Sequence, residues 1–218
     1  MGTAALTLTL SSAYADGSNN SGTDAGGVSN VLNGQVNLNS QQANLNLNST
    51  NVAGNISGSA VSGGNAIDIT TMNNTNVTNS QYVSTSNIGS DVYANVNNVG
   101  GTTDLESQAV CNSASISMDP TSTNVNSTQE CKATDPSATV TANVSNTMND
   151  VTIASSAIGN TFEEDTNAPF GTVQNNQINH SAVNASTTAN TLNVGGNLTA
   201  TASAVGNTGQ IIHYATGN

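Results

Sequence analysis

Arginine and tryptophan are absent from this chain, and Lys132 is its only lysine. Nucleic-acid binding depends on Lys and Arg displacing counterions from phosphates, and attraction to an anionic membrane depends on the same side chains. One lysine on a chain of net charge −12 excludes both as partners. Charged residues make up 6% of the sequence, against roughly a quarter in an ordinary soluble domain. The 13 carboxylates are mostly isolated. A polysaccharide lyase or hydrolase would need clustered acids, with a cation to stabilise developing negative charge. No apolar run is long enough to cross a membrane as a helix. The histidines, His180 and His213, have no cysteine or carboxylate at zinc-ligand spacing. No cofactor motif stands out, neither a phosphate-binding glycine loop nor a Gly-x-Ser-x-Gly elbow. Glu163-Glu164-Asp165 is the one acidic run, and the repeats lack the Gly-Gly-x-Gly-x-Asp pattern of calcium-stacked coils. The expectation is therefore a protein that is not an enzyme.

What is present is uncharged polarity. The sequence holds 37 Asn, 30 Thr and 27 Ser, with 35% hydrophobic residues rich in Val and Ile. Asn, Thr, Ser and Gly are poor in helix interiors. From residue 28 onward the apolar residues alternate with polar ones, as in Val92-Ala94-Val96 and Val140-Ala142-Val144. That alternation is the mark of half-buried strands. Asn33-Gly34 between apolar residues predicts a hairpin turn.

A small-apolar pair followed by Gly or Asn recurs as Ala60-Val61-Ser62-Gly63, Asn87-Ile88-Gly89-Ser90, Ala157-Ile158-Gly159-Asn160 and Ala204-Val205-Gly206-Asn207. Weaker copies are Ala109-Val110-Cys111-Asn112 and Ala182-Val183-Asn184. Their β-branched residues are 27, 22, 48, 25 and 22 positions apart, a period of about 24 with one degenerate unit near Pro136. A unit of that size fits one coil of a β-solenoid. Gly63, Gly89, Gly159 and Gly206 would mark its corners, and Asn would form amide ladders along the stack. The fold class expected is all-β, a β-solenoid of about 24 residues per coil, with an antiparallel β-sandwich as the alternative.

Four segments differ from the repeat pattern of this domain of residues 28–218. Residues 1–15 end in Ala13-Tyr14-Ala15, which resembles a signal-peptidase site with cleavage between Ala15 and Asp16. Leu6, Leu8 and Leu10 would equally suit a first strand. Residues 16–27, nearly devoid of apolar side chains, read as a flexible tether. Residues 104–136 hold both cysteines, Lys132 and two of the three prolines, and read as an inserted loop. In an exported protein Cys111 and Cys131 would form a disulfide closing that loop; in a cytosolic one they would be buried thiols. Residues 162–170 read as a second loop. Ten Asn-x-Ser/Thr sequons match chance for this composition and support no inference about glycosylation.

The segment Gln174-Asn175-Asn176-Gln177-Ile178-Asn179, the Ala/Thr strands after it and Ala204-Val205-Gly206-Asn207 resemble the repeats of bacterial holdfast-anchor surface proteins, the holdfast attachment protein D type. The Gln/Asn spacing is also similar, loosely, to curli-type fibre subunits, although the regular curlin repeat is not reproduced. The resemblance implies an extracellular, cell-surface adhesin or anchor. The function expected is a structural subunit or anchor of an adhesive fibre, pilus-like appendage or surface layer. Its partners would be copies of itself or other fibre subunits, joined through sheet edges or coil ends. A polysaccharide-binding solenoid is the alternative. An ice-binding face, suggested by Thr139/Thr141 and Thr199/Thr201, is a third.

Overall fold

The structure is a computed structural model that describes residues 29–72, 74–118, 122–167 and 170–214. The described residues form ten strands: β1 (Ser29–Asn37), β2 (Gln41–Val52), β3 (Ile56–Thr71), β4 (Thr75–Val99), β5 (Thr103–Met118), β6 (Ser122–Thr147), β7 (Val151–Thr166), β8 (Phe170–Asn179), β9 (Asn184–Val194) and β10 (Leu198–His213). All eight strand pairings are parallel. This excludes the antiparallel sandwich and establishes a β-solenoid. The signal-peptide and tether segments, with Ala15 and Asp16, lie outside the described residues.

Four coils stack. β1–β3 form the first, β4–β5 the second, β6–β7 the third and β8–β10 the fourth. Three ladders of four segments run along the stack. One joins β1, β4, β6 and β8, and another joins β2, β4, β6 and β9. The long strands β4 and β6 fuse these two into a single sheet. The third ladder, β3-β5-β7-β10, is the facing sheet.

The coil is twice the size expected. Ser29 pairs with Thr75, Thr75 with Thr123, and Thr123 with Gly171. Each step is 46 to 48 residues. The 24-residue sequence unit is half a coil: successive copies alternate between the two sides of the solenoid, and Gly63, Gly89, Gly159 and Gly206 lie inside β3, β4, β7 and β10 rather than at corners between strands. Val110, Ile158 and Val205 stack in the four-stranded sheet. Ile88 and Val183 lie at the opposite wall, where Gly89 and Asn184 both pair with Ser137. Pro136, just before Ser137, occupies the place of the degenerate unit.

Other expectations fail for a related reason. β1 runs straight through Asn33-Gly34, so no hairpin forms there. Residues 104–118 and 122–136 are not an inserted loop, since β5 pairs along its length with β7, and β6 pairs with β4 apart from register shifts opposite Asn87. Asp104 and Glu106 point outward while Leu105 and Ser107 point in, so the charge that looked loop-like is the solvated face of a strand. Likewise β7 continues through Glu163 to Thr166, and β8 begins at Phe170.

The core lies between the two sheets. One cluster packs Val92, Ala94, Val96 and Val140 against Leu105, Val151 and Ile153. Another packs Val77 and Val125 against Ile116, Met118 and Phe162. Between them is a narrow waist of Val83, Ile88, Ala109, Ala138 and Ala157 around Cys111 and Cys131. Small side chains there let the sheets approach closely. At the waist the in-out alternation slips by one residue, so that Cys111 and Asn112 are both buried, as are Gly159 and Asn160.

Candidate functional site

The polar residues that look like filler in the sequence are organised into ladders. Gln35, Gln81, Gln129 and Gln177 stack inside the solenoid. Gln81 donates to Gln35 Oε1 at 2.9 Å, Gln129 to Gln81 at 2.8 Å and Gln177 to Gln129 at 2.9 Å. Each also donates across the core to a carbonyl of the facing sheet: Ala66, Ser113, Thr161 and Thr208 respectively. Asn65, Asn112, Asn160 and Asn207 form a second interior ladder running the opposite way, with links of 2.9, 2.7 and 2.8 Å. Their amides reach the carbonyls of Tyr82, Glu130, Ile178 and Gln177. Buried amides are tolerated only when their groups are paired, and here the pairing stitches coil to coil and sheet to sheet. Three of the four glycines of the sequence repeat lie near this ladder: Gly159 and Gly206 directly precede Asn160 and Asn207, and Gly63 is one position before the equivalent Gly64. Gly89 lies at the other wall, against Gln42 and Ser137. A Cβ on Gly159 would collide with the Gly206 carbonyl and stand 2.9 Å from Asn179 Cγ.

On the outer surface Asn48, Asn95, Asn143 and Asn190 form another ladder, with links of 2.9, 2.8 and 2.9 Å. It lines a shallow groove of about 530 Å³ that also includes Thr50, Asn97, Ser145 and Leu192. Asn51, Asn98, Asn146 and Asn193 turn the corner beyond it with φ of 54° to 59°, a left-handed conformation that Asn accepts more readily than most side chains. Thr139/Thr141 and Thr199/Thr201 lie on different sheets and do not form a threonine rank.

The disulfide Cys111–Cys131 joins β5 to β6 across the waist, with Cα atoms 6.0 Å apart. Both cysteines are fully buried.

The charged groups are few. Lys132 Nζ lies 2.6 Å from Glu130 Oε1 and 5.4 Å from the Tyr82 ring centroid. His180 Nε2 is 3.4 Å from the same carboxylate. Lys132 holds Glu130 below the ordinary carboxylate range, and Glu130 in turn raises Lys132. Glu164 is different. It is fully buried, neither carboxyl oxygen has a hydrogen-bond partner, and burial pushes its pKa up, against an opposing pull from His213. Among the described residues no three His, Cys, Asp or Glu converge as a metal site. Also among them, no helix is long and apolar enough to cross a membrane.

The remaining feature is the two ends of the stack. Among the described residues, β1, β2 and β3 have no strand partner on their outer side, nor do β8, β9 and β10. Val151 and Ile153 are fully buried, but Leu198, one coil further on above Val151, is 45% exposed. Ile211, in the interior column with Ile116 and Glu164, is 54% exposed. A row of unpaired strand groups beside exposed apolar side chains is a template for another strand. The geometry offers non-covalent assembly.

Compared with known families, residues 12–215 match the sequence model of holdfast attachment protein D. No curated protein and no solved structure matches the chain.

Proposed function

Since the chain belongs to the holdfast attachment protein D family, a family of surface adhesion, we propose that it is a structural subunit or anchor of an extracellular adhesive fibre. It acts by self-association through its coil ends and carries out no catalysis. The observation that carries this reading is the open fourth coil, whose core-facing Leu198 and Ile211 have nothing above them among the described residues. A cell-surface location accords with the family, and other holdfast components are natural partners besides copies of the chain itself. Light scattering and negative-stain electron microscopy of the purified chain test the proposal. Filaments or large assemblies are expected. A chain that stays monomeric at high concentration and binds no surface would sink it.

A second reading rests on the outer asparagine ladder. The groove along Asn48, Asn95, Asn143 and Asn190 presents regularly spaced uncharged amides, which suit the hydroxyls of a polysaccharide. Among the described residues no aromatic side chain lines it for stacking on a sugar ring. Binding of the soluble monomer on a glycan array would favour this reading over the fibre.

A further inference from the structure

The two ends of the solenoid are complementary to one another. At the first coil, Gln35 has accepted from Gln81 and spent one amide hydrogen on the Ala66 carbonyl, leaving the other to point along the stack. At the last coil, Gln177 has used both amide hydrogens, on Gln129 and Thr208, leaving its carbonyl oxygen free to accept. The buried asparagine ladder has the reverse polarity. Asn65 has used both amide hydrogens, on Tyr82 and Asn112, and its Oδ1 is the open atom. Asn207 has accepted from Asn160 and donated once to Gln177, and keeps one hydrogen. In the outer ladder Asn48 has accepted from Asn95 and donated once to Asn46, keeping one hydrogen, while Asn190 has donated to Asn143 and retains an open oxygen.

The spacing matches as well. Gln35 to Asn48 and Gln177 to Asn190 are both 13 residues, and Gln35 to Asn65 and Gln177 to Asn207 are both 30. In the inner coils the corresponding separations are one residue longer, as from Gln81 to Asn95 and to Asn112. The first and last coils thus resemble each other more than either resembles its neighbours. The shorter corner is built alike in both: Asn37 Oδ1 accepts from the Asn39 backbone, and Asn179 Oδ1 accepts from the Ser181 backbone.

Resting on the fibre reading above, we propose that a second copy of the chain docks head to tail in a single register, with its Gln35, Asn48 and Asn65 seated on Gln177, Asn190 and Asn207. One rigid step then satisfies all three ladders at once. Gln35 donates to Gln177, Asn48 to Asn190, and Asn207 donates to Asn65. The same step sets Val52 over Val194, Ile56 over Leu198 and Ile69 over Ile211, so the apolar columns continue across the junction. Repeated, it gives an unbroken parallel solenoid. This is a heterologous contact that propagates rather than closing on itself.

Disulfide capture tests the register. In it, Asn46 of one copy lies beside Thr188 of the other, both on the outer face. Neighbouring parallel strands are ~4.8 Å apart, within the span a disulfide bridges. Asn46→Cys and Thr188→Cys chains, mixed and oxidised, should give a crosslink between those two positions, mapped by mass spectrometry. Asn46→Cys with Asn184→Cys is displaced by four residues, roughly 13 Å along the strand, and should give none. In a separate chain, Asn207→Asp keeps the acceptor that Asn160 uses and loses within the monomer only the exposed 3.2 Å bond to the Gln177 carbonyl, so the monomer stays folded. It removes the donor owed to Asn65 and places a carboxylate in the junction, and should weaken assembly at least about tenfold. Multimers that form without the matched crosslink, or that ignore Asn207→Asp, would overturn the register while leaving self-association standing. A chain that forms no multimers would overturn both.

Discussion

Glu164 offers the sharpest test of the interior. Its column runs Ile69, Ile116, Glu164, Ile211, so one carboxyl interrupts a row of isoleucines. It is fully buried and both oxygens lack partners. An unsatisfied buried polar group costs about 1–3 kcal/mol, and Glu164→Ile replaces it with a side chain its column neighbours already accommodate. A gain of about 2 kcal/mol is expected at neutral pH, or about 4–8 °C in melting temperature for a chain of this size. The sign of the pH dependence follows from the upward shift caused by burial, which His213 opposes and Asp165 reinforces. Below the unfolded glutamate pKa of about 4.3, folded and unfolded chains both hold the proton. Above it the unfolded chain ionises first, so stability falls as pH rises through the raised folded value. The variant's advantage should therefore be smallest near pH 4 and widen toward neutrality. Glu164→Gln should remove this component of the pH dependence without the packing gain. Thermal melts of the three chains from pH 4 to 8 would refute the reasoning if Glu164→Ile were less stable than the parent, or if the difference did not change with pH.

Removing the disulfide with Cys111→Ser and Cys131→Ser should cost roughly 3 kcal/mol in denaturant unfolding, from the closed loop of 20 residues; an unchanged midpoint would mean the crosslink restrains nothing. Gln129→Ala leaves Gln81, Thr161 and Gln177 each short of a partner and should destabilise by about 3 kcal/mol or more in the same assay. Gly159→Ala should destabilise by about 1–3 kcal/mol, because the added methyl meets the Gly206 carbonyl. Gly34→Ala has open space around it and should be neutral or stabilise by up to about 1 kcal/mol; equal effects at the two glycines would contradict the close packing at Gly159. Lys132→Met should let the Glu130 carboxyl titrate at higher pH, read by NMR, since Lys132 is the main cause of its depression.

The strand content was legible because alternation such as Val140-Ala142-Val144 reports one buried face without any tertiary information. The repeat was legible too, but its meaning was not. The two half-coils carry similar segments, so Ile88 and Val110 look like successive copies of one site although they occupy opposite walls. Only pairing distinguishes them, and pairing lies 46 to 48 residues away. Asn33-Gly34 carries a local turn signal that the parallel ladder with Asn79 and Ser80 overrides. Asp104 and Glu106 look loop-like because charge is so scarce elsewhere, yet their outward phase on β5 is ordinary for a strand. The interior glutamine ladder left a trace in the sequence, glutamines at 35, 81, 129 and 177. That trace is visible only once the full coil length is known. The open ends could not be read from sequence at all, since they depend on which strands lack neighbours.

Electron cryomicroscopy of assemblies grown from the purified chain tests end-to-end stacking most directly. Four coils per chain, each spaced by ~4.8 Å, give an axial rise of roughly 19 Å per subunit, with the strand spacing itself running along the filament axis. That pair of repeats is the expected result. Filaments with strands along the axis, or with a subunit rise unrelated to four coils, would contradict it.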